Sequence, residues 1–314
     1  MRVIVCPYHQ WTFSRRGDLL SCYGMQEDVD KGQLGLRPVH VETCAGLIFL
    51  SLAAEPVEPP PFEPARRAIE PMARPQGLKR AKVAATVDYD VRANWKLVWE
   101  NNRECYHCSV NHPQYVKSNF DIYEEGRGSA RIHQRLDALI ARSEASEPLA
   151  GLAISHKEGG LAPFPDADNN IWYAVNRTVL AEGYESESLD GRRVAPLMGA
   201  YRDAAAGVLR MRAMPNFWLH ASCDHAVTTR LLPAGLHRTG VRVTWLVRDD
   251  AREGVDYQLG ELLPFWQLTS EQDWELCERV QRGVMSTAYR PGPLSRTREY
   301  NLDAFVRWYL CQLI

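Results

Sequence analysis

Residues 99–115 read Trp-Glu-Asn-Asn-Arg-Glu-Cys-Tyr-His-Cys-Ser-Val-Asn-His-Pro-Gln-Tyr. His107 and His112 are about 140° apart around an ideal helix, so they do not share one face of a regular helix. Both can bind one metal only if the helix ends or distorts between them, and Pro113 favours such an end. Glu104 and His107 do share a face. A histidine near a helix C-terminus is also favoured by the helix dipole alone, so a structural role stays open for each histidine.

A carboxylate that could complete a metal site lies in residues 270–275, Ser-Glu-Gln-Asp-Trp-Glu. Two histidines and one carboxylate form the facial triad of non-haem Fe(II) oxygenases, which leaves positions open for O₂. Asp273 is the candidate, although spacing alone barely separates it from Glu271 and Glu275. Acidic residues in the first turn of a helix also stabilise its dipole, which is the structural alternative.

A second group of potential ligands is Cys-Pro-Tyr-His at residues 6–9, followed by Trp11 and Phe13. A thiolate and an imidazole on one tight loop can bind the same metal centre, as they do on a Rieske [2Fe–2S] cluster. A lone Cys-x-x-His pair is weak evidence, but the embedded Pro-Tyr and the aromatic residues that follow strengthen it. The alternative is a surface loop in which the two residues have no ligand.

The composition is that of a folded globular protein, with 45% hydrophobic and 24% charged residues in 314. A net charge of −2 argues against nucleic acid or an anionic membrane as a partner. The longest apolar run, residues 44–54, is shorter than the roughly twenty residues of a membrane helix and predicts a buried strand. Eight cysteines without a secretory signal favour reduced thiols or metal ligands in the cytoplasm over disulfides. We interpret Cys105 and Cys108 as packing residues, because no second Cys-x-x-Cys pair exists.

Three segments are predicted: short strands over residues 1–54, a proline-rich linker over 55–82, and a larger domain over 83–314. In the larger domain, strands are predicted at residues 83–89, 171–175, 208–214, 226–232 and 241–247. Helices are predicted over residues 94–106, from Thr269 or Ser270 (where Thr269 and Gln272 spell a capping box) to about Gly283, and over 302–313. Residues 124–170 are interpreted as loops. An antiparallel sheet backed by helices, α+β in class, is the consistent fold.

Together these motifs resemble the large (alpha) subunit of a Rieske non-haem iron oxygenase, and the similarity covers essentially the whole chain. Cys6 to Trp11 match the second half of the Rieske motif, residues 104–112 the mononuclear iron motif, and Asp273 the third iron ligand. The pattern is most similar to the branch that acts on quaternary amines, above all to glycine betaine monooxygenase oxygenase components. The runs that carry this placement are residues 99–108, 111–115, 214–218 and 268–278.

The resemblance implies a partial all-β Rieske domain over residues 1–54 and a helix-grip (START-like) catalytic domain with a central antiparallel sheet and C-terminal helices over 83–314. Only the second pair of cluster ligands, Cys6 and His9, is present, because no Cys-x-His pair precedes Cys6. We therefore expect the chain to be N-terminally truncated. Its first strand would lack its hairpin partners, and the first domain would be incomplete and poorly stable.

The resemblance also implies an activity. A separate ferredoxin-type or flavin reductase would pass electrons from NAD(P)H to the Rieske cluster, within a homotrimer that brings the cluster of one subunit close to the iron of the next. Glu104 would bridge His9 of one chain and His107 of its neighbour. Fe(II) held by His107, His112 and Asp273 would use O₂ to N-demethylate a quaternary amine, converting glycine betaine to dimethylglycine and formaldehyde.

The substrate of such an enzyme is a permanent cation without an N–H donor, so aromatic rings are expected to bind it. The candidate rings are Trp172, Tyr173, Phe217, Trp218, Phe265 and Trp266, each of which could instead be a core residue. Stachydrine, carnitine and choline are alternative substrates in the same branch. An aromatic-ring hydroxylating dioxygenase is less favoured, because Glu104 stands where many such enzymes have Asp. A truncated, non-catalytic ligand-binding protein is the alternative of another class.

Overall fold

The computed structural model describes residues 3–54, 57–119, 130–152 and 171–313. The chain divides into two compact units, one made of residues 1–43 and 48–62 and the other of residues 44–47 and 63–314. The second unit therefore begins inside the segment that we predicted to be a linker.

The first unit is built from short strands. Strands β1 (Ile4–Val5), β2 (Thr12–Phe13) and β3 (Leu19–Ser21) form an antiparallel sheet in that order, so β1 does have a hairpin partner. Strands β4 (His40–Cys44) and β5 (Leu47–Ser51) pair in a separate two-stranded sheet. We expected a buried strand over residues 44–54, but Ile48 and Leu50 of β5 are exposed. Side chains alternate between the two faces of a strand, and only the other face is partly buried.

The second unit contains a six-stranded antiparallel sheet, which confirms the predicted α+β class. Its strands are β6 (Ala81–Val91), β7 (Tyr173–Thr178), β8 (Val208–Ala213), β9 (Phe217–Ala221), β10 (Ala226–Gly235) and β11 (Arg238–Arg248), in the spatial order β6-β11-β10-β9-β8-β7. Strand β9 was not predicted. Four of its five residues are buried, so it lacks the alternation by which a half-exposed strand is recognised.

Eight α-helices are described. They are α1 (Glu63–Ala73), α2 (Trp95–Asn101), α3 (Cys108–Asn111), α4 (Pro113–Ser118), α5 (Ala130–Glu144), α6 (Leu259–Leu262), α7 (Pro264–Val284) and α8 (Tyr300–Cys311). Within the described ranges, no helix has the length and apolar character needed to cross a membrane.

Several predicted helix boundaries were wrong. Helix α2 ends at Asn101 rather than Tyr106, and α7 begins at Pro264 rather than Thr269. Thr269 is therefore inside α7, where its hydroxyl donates to the carbonyl of Phe265 at 2.8 Å instead of capping the helix. Helix α1 lies in the predicted linker and α5 in the predicted loops. Residues 147–149 of that loop prediction form a short 3₁₀ helix, and its residues 124–129 and 153–170 fall outside the described residues.

The sheet presents two different faces. Arg210 and Arg212 of β8 pair across the ladder with His220 and Trp218 of β9, so all four side chains project to one face, here called the inner face. The main hydrophobic cluster lies on the inner face, where helices α2, α7 and α8 pack. Helix α1 packs on the opposite, outer face at β7 and β8, where Arg177 donates to the carbonyl of Met72 at 3.0 Å.

Candidate metal centre

Breaks in the helical path separate the two histidines of residues 99–115. Helix α2 ends at Asn101, His107 lies just before the short helix α3, and His112 follows α3 with backbone angles outside the helical region (φ −125°, ψ 65°). Pro113 then begins α4, a position where its missing N–H costs nothing. The expectation that the helix is interrupted between His107 and His112 is confirmed.

The structure brings His107, His112 and Asp273 together. The Nε2 atom of His112 lies 2.9 Å from Oδ1 of Asp273, and the Nε2 atom of His107 lies 3.2 Å from the same oxygen. The two imidazole ring centroids are 5.1 Å apart. Glu271 and Glu275 are each about 200° around α7 from Asp273 and therefore project away from the histidines.

The other ring nitrogen of each imidazole, Nδ1, is hydrogen-bonded to a second acceptor. Oε1 of Glu104 lies 2.6 Å from Nδ1 of His107, and Oε1 of Gln272 lies 2.8 Å from Nδ1 of His112. Gln114 donates its amide to the same Gln272 oxygen at 2.9 Å, which fixes the orientation of the Gln272 amide. Carboxylate and amide oxygens only accept, so each Nδ1 is the donor, and in a neutral imidazole the Nε2 atom would then carry its lone pair towards Asp273.

Without a metal ion, an Nε2 atom faces a carboxylate oxygen favourably only when it carries a proton, because a nitrogen lone pair and a carboxylate oxygen repel each other. Burial lowers the pKa of His107, but its hydrogen bonds to Asp273 and Glu104 outweigh burial and raise that pKa to about 10. Burial raises the pKa of Asp273, and its hydrogen bonds to His107 and His112 outweigh burial and lower it. Fe(II) in a facial triad takes two imidazoles and one carboxylate as ligands. The same donors meet here, so the residues fit that ion.

Cys105 and Cys108 form a disulfide with Cα atoms 5.0 Å apart, which corrects their interpretation as packing residues and the expectation of reduced thiols. The sulfur of Cys108 and one ring nitrogen each of His107 and His112 lie within 4.8 Å of one another. A disulfide sulfur has no thiolate charge, so Cys108 cannot be a ligand in this form.

The loop at residues 6–9 is tight. The backbone N–H of Cys6 donates to the carbonyl of Trp11 at 2.8 Å, and that of Gln10, at φ 60°, donates to Cys6 at 3.0 Å. Cys6 is partly exposed and His9 is exposed. Among the described residues this pair is not part of any three-residue ligand cluster. It supplies two of the four ligands that a Rieske cluster takes, so the residues present do not fit a whole cluster.

The six aromatic residues predicted to bind a cation fall into two groups. Trp172, Trp218, Phe265 and Trp266 belong to the main cluster on the inner face. Tyr173 and Phe217 project to the outer face, because they alternate with Ala174 and Trp218 along their strands. The ring of Trp266 lies 4.5 Å from that of His220, so it is the candidate closest to polar groups of the inner face.

Sequence reasoning missed Gln272, which accepts from His112 across 160 positions of the chain, and Gln114, which donates to Gln272 across 158. Their amides gave no metal-ligand signal of their own. The adjacency of Gln272 to Asp273 is the one feature by which it could have been found.

A family model for the catalytic domain of the ring-hydroxylating alpha subunit matches residues 78–313. The chain is 39% identical over 310 residues to the glycine betaine monooxygenase oxygenase subunit of Chromohalobacter salexigens, covering 98% of this chain and 66% of that protein. It is 36% identical to the Pseudomonas aeruginosa (strain UCBPP-PA14) subunit of the same name, covering 98% of this chain and 68% of that protein. The chain therefore spans about two thirds of the length of these relatives.

Solved structures share the fold. A quaternary ammonium Rieske monooxygenase in complex with gamma-butyrobetaine matches with a TM-score of 0.61 at 18% identity, covering 99% of this chain and 71% of that chain. Naphthalene 1,2-dioxygenase with indole bound matches with a TM-score of 0.54 at 21% identity, covering 91% of this chain and 63% of that chain. With a matching family model over most of its length and relatives similar along 98% of it, this chain belongs to the ring-hydroxylating alpha subunit family of Rieske non-haem iron oxygenases.

Proposed function

We propose that this chain is the catalytic part of the oxygenase component of a monooxygenase that N-demethylates glycine betaine. The net reaction consumes glycine betaine, O₂, two electrons and two protons, and it gives dimethylglycine, formaldehyde and water. The similarity to glycine betaine monooxygenase oxygenase subunits supports the substrate. The observation that carries the proposal is the convergence of both histidine Nε2 atoms on Asp273.

His107, His112 and Asp273 are the residues that would hold Fe(II). When bound, iron at such a site supplies the activation of O₂ that no protein side chain can supply. Glu104 and Gln272 hold the imidazoles in the tautomer that leaves Nε2 free to bind a metal, a role that typically contributes 10–100-fold in metal affinity.

The proposal extends to the electron supply. Inter-subunit electron transfer is described for a quaternary ammonium Rieske monooxygenase. In this chain, Glu104 already accepts from Nδ1 of His107 and from the backbone N–H of Tyr106. Its carboxylate can accept a further bond from His9 of a neighbouring copy in a homotrimer, with a reductase as the electron donor. Cys6 and His9 are assigned as one ligand pair of the cluster.

Trp218 and Trp266 are proposed to bind the trimethylammonium group. Trp266 and Asp273 are two turns apart on α7, so they share a helix face about 10.5 Å apart along its axis. Cation–π contacts with a desolvated ammonium contribute about 2 kcal/mol each, and no hydrogen bond can replace them for this ion.

The test uses hydrogen peroxide in place of O₂ and electrons, because peroxide supplies one oxygen atom and removes two electrons from the substrate. The Fe(II)-loaded chain, mixed with glycine betaine and peroxide, is expected to give equal amounts of formaldehyde and dimethylglycine. Asp273→Ala should give neither product, whereas Glu275→Gln, which changes an exposed acid on the same helix, should behave as the wild type.

Other outcomes would reassign the function. Faster formaldehyde release from carnitine, stachydrine or choline would change the substrate, and a cis-diol from an aromatic ring would establish a dioxygenase. Binding of glycine betaine with iron present, but no product under any oxidant, would favour the non-catalytic binding protein.

A further inference from the structure

Arg103 is a fully buried arginine, with 0% of its surface exposed. Its guanidinium carbon lies 4.1 Å from the ring centroid of Trp99 and 5.8 Å from that of Trp218. Nη2 donates to the side-chain oxygen of Asn102. Nε and Nη1 are buried and have no hydrogen-bond partner within the described ranges.

The charge of Arg103 is also uncompensated. Across the described ranges no carboxylate forms an ion pair with it, and Arg212 is close enough to repel it. Burial first, and then Arg212, lower the pKa of Arg103 well below its ordinary value. An arginine stays protonated in proteins, and leaving buried donors without acceptors costs stability. Such a side chain is expected where a ligand supplies the missing anion.

A second buried arginine shows what a purely structural role looks like. Arg177, on the outer face, is equally buried, and all three of its guanidinium nitrogens donate. Nε and Nη2 bond the carbonyl of Met72, and Nη1 bonds that of Ala206. Arg103 has the same burial without those acceptors.

A series of contacts on the inner face links Arg103 to the helix that carries Asp273. Along α7, Asp273 and Trp266 share a face, and the Trp266 ring lies 4.5 Å from His220 on β9. His220 and Trp218 are two residues apart on the inner face, and Trp218 lies 5.8 Å from Arg103. Along the chain, Arg103 precedes His107, a residue of the candidate metal centre, by four positions.

We infer that Arg103 binds the carboxylate of a zwitterionic N-methyl substrate and thereby selects betaines over amino alcohols such as choline. The identity of the cationic end rests on the proposed function. A carboxylate approaching either edge of the planar guanidinium meets an unpartnered donor, Nε on one edge and Nη1 on the other. Glycine betaine places its trimethylammonium group one methylene from that carboxylate, next to the ring of Trp218.

The experiment is isothermal titration calorimetry on the full chain with three ligands of similar shape. Glycine betaine carries both charges, choline only the cation, and 3,3-dimethylbutanoate only the carboxylate. The proteins are the wild type, Arg103→Gln, Arg103→Lys and, as the matched control, Arg177→Lys. Circular dichroism checks the folding of each variant.

The wild type should bind glycine betaine at least about 30-fold more tightly than choline, since a buried charge pair is worth at least that factor. Arg103→Gln should lose at least about 30-fold for both carboxylates and change little for choline. Arg103→Lys keeps the charge but not the planar fork, so it should lie between them, and it carries the test if Arg103→Gln does not fold. Arg177→Lys should keep the wild-type ratio.

The outcomes separate this inference from the proposed function. If Arg103→Gln or Arg103→Lys binds glycine betaine as the wild type does, while the wild type demethylates it, the inference is overturned and the function stands. If 3,3-dimethylbutanoate and glycine betaine both bind in an Arg103-dependent way but glycine betaine is not demethylated, the inference stands and the function fails. If the wild type binds neither carboxylate, the inference is overturned.

Discussion

Asp224, which is buried, and Asp273, which is partly buried, both contact histidines, yet the two contacts differ in which imidazole nitrogen faces the carboxylate. Asp224 accepts from the hydroxyl of Ser186 and from Nδ1 of His225 on Oδ1, at 2.7 and 2.9 Å, and from the backbone N–H of Val194 on Oδ2, at 2.7 Å. Asp224 therefore receives all of these hydrogen bonds from protein donors, although Nε2 of His225 is buried without a partner in the described part of the chain.

Asp273 differs because its partners already donate their Nδ1 protons elsewhere. The Nδ1 atoms of His107 and His112 bond Glu104 and Gln272, so each Nε2 atom that faces Asp273 needs a second proton, or a metal ion, to make that contact favourable. The first arrangement is closed by the protein, and the second needs a proton or a metal. A His–Asp contact by itself therefore says little about function. Its role depends on which imidazole nitrogen faces the carboxylate and on what the other nitrogen bonds.

The largest effect should come from Asp273→Ala. Stoichiometric Fe(II) binding, measured by metal analysis after anaerobic loading, is expected to be lost, because removing a direct ligand exceeds the 10–100-fold typical of outer partners. Glu275→Ala is the control and should keep one iron per chain. Full iron retention in Asp273→Ala would place the metal elsewhere.

Asp224→Ala should cost stability instead of iron. Removing one partner of a buried pair typically costs about 3–5 kcal/mol of the free energy of unfolding, because His225 is left charged or unpaired. Urea unfolding measures the loss, and iron analysis of the folded variant should still give one per chain. Loss of iron from folded protein would mean that the two clusters are coupled.

Glu100 extends the comparison to a carboxyl group without a described partner. Its side chain is largely buried, and no hydrogen-bond partner for it occurs in the described part of the chain. Burial raises its pKa to about 7; Lys96 opposes this and Glu299 adds to it. The folded state then holds a proton that the unfolded chain releases near pH 4.5. Stability should therefore fall as pH rises from about 4.5 to about 7.

Glu100→Gln should remove that fall. The variant is expected to gain up to about 3 kcal/mol at pH 8 and little at pH 4.5, since one pKa unit corresponds to about 1.4 kcal/mol. Unfolding free energies across this range measure the difference. A parallel pH dependence in the wild type and the variant would contradict the raised pKa.

The smallest effect is expected for Gln272→Leu, which removes the acceptor that orients His112 but no ligand. Fe(II) affinity should fall about 10–100-fold with stoichiometry preserved. Gln267→Leu, one turn earlier on α7, is the matched control and should bind iron as the wild type does. Equal affinity in the two variants would show that the His112 tautomer is set by something other than Gln272.

The sequence predicted the sheet and the candidate ligands better than the elements around them. Alternation located β6, and runs rich in β-branched or aromatic residues located β7, β8, β10 and β11. The motif at residues 104–112 with Asp273 gave the three side chains that the structure brings together. The start of α7 was misplaced, because a capping pattern at Thr269 looked like a helix start, whereas Pro264 occupies the first turn. Tertiary packing decides between such local signals.

Partners that depend on tertiary packing could not be predicted. Gln272 and Arg103 have ordinary sequence contexts, and their importance arises from what faces them: an imidazole for Gln272, and for Arg103 two donor nitrogens without a described acceptor. The same holds for α1, whose buried Ala65, Ile69 and Ala73 lie in a segment that composition assigned to a linker.

The central claim is that iron is bound by His107, His112 and Asp273 beside a glycine betaine site. Electron paramagnetic resonance of the Fe(II) protein with nitric oxide, a stand-in for O₂, tests it most directly. The account predicts a high-spin iron–nitrosyl signal that changes when glycine betaine is added and that is absent from Asp273→Ala. A signal that Asp273→Ala retains, or that glycine betaine leaves unchanged at saturating concentration, would contradict it.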